Sequence, residues 1–328
     1  MPDGYVRTVL GPVPAAELGR VLMHEHLATL LPGRFLSGGT LADEADLAAR
    51  AAAPLPEKGF RTLVNLTGRA GVGDRAGLTV LQEISRRTGM HLVAGFGFYT
   101  ERWFPPGVAG LNLDELTARF VAAADDGGVP VGIYGEVATS LGVITDGERR
   151  CLQAAARAQQ VTGLPIYTHA SLGTMAAEQV EVLLAEGAEP EKIVIGHLDL
   201  NPEVAAVEEV LRTGVTAGFD TIGKEYFDYQ LRPEESPEPD SVLKRLCHRP
   251  DSERFDTIAE LVRRGWAGRI VLSCDMTGHE AYANPRTHGT YGLSYLPDRA
   301  LAELRRRGVG QDAIDTMTVQ NPARILGT

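Results

Sequence analysis

Eight short apolar runs alternating with helix-like segments predict an α/β fold, a (β/α)8 TIM-type barrel. The runs are six to nine residues long and bounded by Gly, Pro or charge. Most are rich in β-branched, Leu or aromatic residues. Strands covered on both faces of a parallel sheet read this way. The runs recur at spacings of about 25 to 40 residues, which suits right-handed strand–helix–strand units. Eight such units point to a closed barrel rather than an open doubly wound sheet.

Taken in order, the first strand is 20–27 (RVLMHEHL), followed by an Ala-rich helix at 41–53 with charge on one face. The second, 62–67 (TLVNLT), precedes a helix at 78–88 with apolar positions Leu78, Val80, Leu81 and Ile84. Strand 91–99 (HLVAGFGFY) pairs with helix 114–124, and strand 131–139 (VGIYGEVAT) with helix 147–162. Strand 165–170 (PIYTHA) leads to helix 175–186, and strand 192–198 (KIVIGHL) to helix 202–213. The seventh strand is 215–220 (VTAGFD). The longest gap follows, with a Pro- and Glu-rich surface loop at 232–240 (RPEESPEPD) and then a helix at 256–265. Strand eight, 269–275 (RIVLSCD), precedes a helix at 301–308. No repeat, low-complexity run or linker divides the chain, so residues 1–328 are expected to form one domain.

The balance of charge narrows the function. With 43 acidic against 32 basic residues the net charge is −11, which disfavours nucleic acid as a partner. No run reaches 18 apolar residues, and residues 1–14 lack a basic start followed by an apolar stretch. Neither a membrane span nor a signal peptide is expected. Three scattered cysteines (Cys151, Cys247, Cys274) form no CxxC pair and fit a reducing, cytoplasmic setting.

Active sites of such barrels lie at the C-terminal ends of the strands. Strand one ends in His24-Glu25-His26, strand four carries Glu136, strand five ends in His169, strand six in His197 and strand eight in Asp275. Four of the eight histidines sit at these ends, more than chance placement favours. His24 and His26 are two apart on a strand, so both rings point to one face. Singly, each residue has an ordinary explanation: a hydrogen-bonded histidine, a buried ion-pair partner, a helix N-cap. Jointly, four imidazoles and two carboxylates converge from different strands. A single catalytic zinc needs only three protein ligands, so six suit two metals sharing a bridge.

At these residues the sequence resembles the phosphotriesterase family of the amidohydrolase superfamily. The likeness runs from 9–27 (VLGPVPAAELGRVLMHEHL) to 318–326 (TVQNPARIL). It includes Glu136-Val137-Ala138-Thr139, Thr168-His169, Gly196-His197, Cys274-Asp275 and Asn321-Pro322-Ala323-Arg324. The resemblance implies a hydrolase barrel with two divalent metal ions per chain, zinc first, with Mn, Co or Fe as alternatives. One ion would take His24, His26 and Asp275, the other His169 and His197, and a strand-four carboxylate would bridge them together with hydroxide. The best-known members carry a carbamylated lysine where this chain has Glu136; a subset of the family uses Glu. The family often forms dimers, which leaves a homodimer open.

The expected chemistry is attack by the bridging hydroxide on a carbonyl or phosphoryl centre, with Asp275 moving the proton to the leaving group. The primary expectation is hydrolysis of a lactone or carboxylic ester. The alternative is cleavage of an N-acyl amino or sulfonic acid, with phosphotriester hydrolysis as a weak side reaction. A chain that keeps the fold and has lost catalysis is disfavoured, because no ligand position is missing. Loop residues expected at the small-molecule pocket include Arg69 and Asp74, 98–103 (FYTERW), Lys224-Glu225-Tyr226, His279, Tyr282, Arg286 and His288. Of these, Tyr99, Lys224, His279, Tyr282 and Arg286 are the substrate-binding candidates, and Lys224 with Arg286 would favour an anionic or strongly polar substrate.

Overall fold

A computed structural model describes residues 4–27, 41–67, 75–124, 130–224, 249–276 and 292–328. Eight parallel strands run in chain order round one sheet: β3 (Arg20–Glu25), β4 (Phe60–Asn65), β5 (His91–Phe96), β6 (Ile133–Thr139), β7 (Ile166–Ala170), β8 (Ile193–Gly196), β9 (Thr216–Phe219) and β10 (Ile270–Leu272). Each coincides with one of the eight apolar runs. Helices α1 (Leu41–Ala52), α2 (Arg75–Thr88), α3 (Leu113–Ala124), α4 (Asp146–Thr162), α5 (Ala176–Ala185), α6 (Val204–Arg212), α7 (Asp251–Arg263) and α8 (Leu301–Arg306) lie between and after them. The expected (β/α)8 barrel is therefore the observed fold.

Two layers of apolar side chains hold it. Val21, Met23, Val64, Leu66, Val93, Ile133, Tyr167, Val194 and Val271 fill the inside of the barrel. A second, larger layer, with Leu81, Ile84, Leu116, Phe120 and Leu152 among its members, packs between sheet and helices. Every one of these residues is nearly or fully buried. Burying a side chain of this size contributes about 1.5–3 kcal/mol.

Three features lie beyond the sequence expectation. An antiparallel hairpin, β1 (Tyr5–Thr8) with β2 (Gly11–Pro14), and a C-terminal helix, α10 (Asn321–Leu326), follow the short α9 (Gln311–Asp315) or precede the barrel. Through Val6, Ala323, Ile325 and Leu326 they join the inner core, with Ala15 and Leu18 just after the hairpin. Helix α7 starts at Asp251, five positions before the apolar periodicity suggests. Its first turn is buried by ion pairing, not by an apolar stripe: Arg254 is fully buried and bonds Asp251 at 2.6 Å.

Helix α4 shows how local sequence positions the site. Thr145 caps it in a reciprocal box with Glu148, and Gly163 ends it at φ 71°. The buried Glu148 carboxylate also accepts from Ser140 N (3.1 Å) and Ser140 Oγ (2.5 Å) just after β6, and from Glu101 N (3.1 Å) after β5. One helix start thus fixes the ends of the two strands that deliver Glu136 and Tyr99.

Candidate metal centre

The six ligand candidates meet at the C-terminal mouth of the barrel. On β3, the inner core takes Val21 and Met23, yet His24 also faces inward. A register shift between Leu22 and Glu25 permits this. Such a bulge re-aims the strand so that His24 and His26 share the interior face. On β6, Glu136 approaches β5 so closely that a Cβ at Gly97 would lie 2.1 Å from the Glu136 carbonyl oxygen. Glycine at position 97 is therefore required. His197 and Asp275 both leave their strands in the left-handed region, at φ 61° and 49°. Backbone of this kind is uncommon away from glycine and clusters at functional sites.

Two groups of donor atoms result. His24 Nε2, His26 Nε2 and Asp275 Oδ1 form one: Asp275 Oδ1 lies 2.8 Å from His26 Nε2 and 3.5 Å from His24 Nε2, and the two nitrogens are 3.3 Å apart. His169 Nδ1, His197 Nε2 and Glu136 form the other, with the two nitrogens 2.7 Å apart. Glu136 stands between them. Its Oε1 is 2.8 Å from His169 Nδ1, 3.2 Å from His197 Nε2 and 3.3 Å from His24 Nε2, while Oε2 is 3.7 Å from His26 Nε2.

The opposite edges of the rings decide what these atoms can be. Asp220 Oδ2 accepts from His24 Nδ1 at 3.1 Å, and Oδ1 from His197 Nδ1 at 2.8 Å. Asp220 also accepts from His197 N (2.9 Å) and Tyr167 Oη (2.7 Å). With four donors on four lone-pair positions it has none left for a metal, although it falls in a third group of ligand-type atoms with His24 and His197. In the neutral form of both rings the Asp220 carboxylate keeps the proton on Nδ1, so that both Nε2 atoms turn a lone pair to the centre. The outer nitrogens of the other two rings meet hydroxyls, Thr67 Oγ1 at 3.0 Å from His26 Nδ1 and Tyr99 Oη at 3.3 Å from His169 Nε2. Once a cation displaces the protons the cluster holds, four imidazoles and two carboxylates turn lone pairs toward one centre. That donor set fits divalent cations.

Electrostatics agree. Burial opposes charge on His197, but Asp220 and Glu136 push its pKa up to about 9, and His24 rises for the same reasons. Burial likewise opposes ionisation of Glu136 and Asp275, yet His169 and His24 hold Glu136 well below the carboxylate range, and Lys224 and His26 do so for Asp275. The metal-free cluster thus draws in positive charge. Lys224 donates from Nζ to Asp275 Oδ2 at 2.6 Å, so this substrate candidate sits against a candidate ligand. His279, Tyr282, Arg286, His288, Arg69, Asp74, Glu225 and Tyr226 lie outside the described residues. Asp220 was not singled out in the sequence, although it too ends a strand, the seventh, in a carboxylate.

Known proteins place the chain. The phosphotriesterase family model matches residues 4–326, and the chain belongs to that family. It is 30% identical to the phosphotriesterase homology protein of Escherichia coli (strain K12), over 94% of this chain and 98% of that one. The solved structure of that protein, complexed with phosphate in its active site, superposes with a TM-score of 0.79 at 29% identity, covering 94% of this chain and 99% of that chain. Identity is 28% to a phospho-furanose lactonase of Mycoplasmopsis synoviae (99% and 92% covered) and 27% to an N-acetyltaurine hydrolase of Tetraodon nigroviridis (99% and 98%). A mutant PTE-like lactonase from Deinococcus radiodurans matches with a TM-score of 0.81 at 30% identity, over 98% of this chain and all of that one.

Proposed function

We propose that the chain is a metal-dependent hydrolase of lactones or carboxylic esters. The carrying observation is the convergence of His24, His26, His169, His197, Glu136 and Asp275 as ligand-type donors at one mouth of the barrel. In this reading His24, His26 and Asp275 would hold one ion and His169 and His197 the second, with Glu136 within reach of both. Two divalent ions, zinc first, would when bound supply a water acidic near neutral pH and polarise the substrate oxygen.

The protein's own groups do the rest. Asp220 keeps His24 and His197 in one tautomer. Asp275 offers Oδ1 to the centre and Oδ2 to Lys224, which places it to take a proton and return it to the leaving group. Tyr99, against the His169 ring, lines the approach for substrate. The reading includes one barrel domain over the whole chain and a small-molecule substrate. The buried, unpaired Cys151 and Cys274 support a reducing, cytoplasmic setting. No helix among the described residues is long and apolar enough to cross a membrane.

A lactonase among the relatives supports the ester reading. A second reading, hydrolysis of an N-acyl amino or sulfonic acid, is supported by the N-acetyltaurine hydrolases, matched over 99% of the chain. The test is turnover of zinc-loaded protein on a side-by-side panel of lactones, N-acetyl amino and sulfonic acids, and paraoxon. Lactone cleavage with kcat/KM of about 10⁴ M⁻¹s⁻¹ or more supports the first reading. Amide cleavage alone selects the second, and turnover of paraoxon alone rejects both.

A further inference from the structure

The barrel has a seam, and the seam runs through the candidate metal centre. Parallel ladders join each successive pair of strands from β3 round to β10, but among the described residues β10 and β3 share none. The two are tied beyond their ladders instead. Asp275 N donates to His24 O at 3.0 Å, and His26 N to Met276 O at 3.0 Å. These same strand ends carry His24, His26 and Asp275, one whole donor group.

Between the two histidines stands Glu25, fully buried and absent from every donor group. Its Oε1 accepts from Ser273 Oγ at 2.7 Å and Cys274 N at 2.9 Å, and its Oε2 from Met276 N at 2.8 Å. Ser273 Oγ in turn accepts from His24 N at 2.9 Å. One carboxylate therefore grips the residues on both sides of Asp275, whose backbone sits in the left-handed region at φ 49°. A side chain flanked by two inward-facing histidines would turn away from the centre in any strand. Here it turns onto the open edge of β10 and stands in for the missing ladder.

We propose that Glu25 is a positioning residue of the metal centre: its carboxylate clasps β10 to β3 and so holds His24, His26 and Asp275 at ligand spacing before an ion arrives. The inference rests on the reading that this group binds an ion. It adds that the affinity of that one ion, and not of its neighbour at His169 and His197, depends on a side chain that never touches it.

The test is zinc release from loaded protein into a competing chelator, with metal counted by elemental analysis and folding followed by circular dichroism. Wild type, Glu25→Gln, Ser273→Ala and His26→Asn proteins are compared, with Glu25→Gln also placed in the His26→Asn background. In Glu25→Gln one zinc equivalent should be bound about 10–100-fold more weakly, the other unchanged. In the His26→Asn background, where that same ion is already lost, Glu25→Gln should leave the remaining zinc as it was. Ser273→Ala removes one link of the clasp and should weaken the same equivalent about three- to tenfold; it decides the matter if Glu25→Gln does not fold. Wild-type affinity for both ions in the clasp variants overturns the proposal, and so does equal weakening of both. A wild-type protein that holds no zinc overturns the metal-centre reading itself.

Discussion

Asp220 holds His197 twice through a single oxygen: Oδ1 accepts from the backbone N at 2.9 Å and from ring Nδ1 at 2.8 Å. Its other oxygen serves His24. One fully buried carboxylate therefore sets the tautomer of a histidine in each of the two donor groups. Asp220→Asn keeps the shape but turns one acceptor into an N–H donor facing other donors. Orienting partners of this kind are worth about 10–100-fold in metal affinity. Both zinc equivalents should weaken in the variant, in contrast to the single equivalent governed by Glu25. Chelator competition on the purified variant reads this directly, and wild-type affinity for both ions would reject the orienting role.

Metal uptake should depend on pH with a definite sign. In the metal-free fold the His197 pKa is raised to about 9 from 6.5: burial alone would lower it, but the Asp220 carboxylate prevails. Its proton is thus held more tightly folded than unfolded. The stability it contributes is fully present below about pH 6.5 and lost as pH rises through about 9. Zinc must displace that proton. Affinity should climb by about tenfold per pH unit per proton between pH 7 and 9, with proton release on binding. Calorimetry of zinc binding in buffers of different ionisation heat counts the protons. Binding that releases none would contradict the assigned charge state.

Much of this centre is legible in the chain because a buried parallel strand is monotonous and a polar residue at its end stands out. His24, His26, His169, His197 and Asp275 all appear that way. Asp220 obeys the same rule on β9 but has no distinctive motif, since an Asp after Gly-Phe reads equally well as a loop start. Glu25 is hidden for another reason: in a histidine–x–histidine pattern the middle residue looks like spacer. Its buried contacts are with residues 273–276, far along the chain, and only barrel closure brings them together. The β1–β2 hairpin and α10 were missed because their apolar faces are short, and they find their partners only in the folded barrel, whose inner core they join together.

The glycine at position 97 should be as necessary as any ligand. An added methyl would meet Glu136 O at 2.1 Å and Glu136 C at 2.6 Å, both backbone atoms that cannot rotate away. Gly97→Ala must push β5 from β6 and carry Glu136 off the line between the two donor groups. Overpacking of this kind costs about 1–3 kcal/mol. The expected result is a folded protein with a lowered melting temperature and reduced zinc content. Unchanged metal content with unchanged melting would show that the strands can separate there without moving the carboxylate.

Lys224 and Asp275 offer the sharpest separation of chemistry from binding. Lys224 Nζ lies 2.6 Å from Asp275 Oδ2, while Oδ1 lies 2.8 Å from His26 Nε2. Burial would raise the Asp275 pKa, and the Lys224 ammonium is the foremost influence holding it well down. If Asp275 moves the proton in hydrolysis, Asp275→Asn should cut kcat by about 10²–10⁴-fold, far more than it lowers metal content. Lys224→Met should remove one charge-assisted hydrogen bond, worth about 1.5–3 kcal/mol, and cost about 10–100-fold in kcat with both metals retained. Were Lys224 instead a contact for an anionic substrate, its loss would fall on KM, and only for substrates that carry the negative charge. Steady-state kinetics of Lys224→Met on a neutral lactone and on an N-acetyl sulfonic acid separate the two. A kcat loss on both assigns Lys224 to Asp275, whereas a KM rise confined to the sulfonic acid assigns it to the substrate.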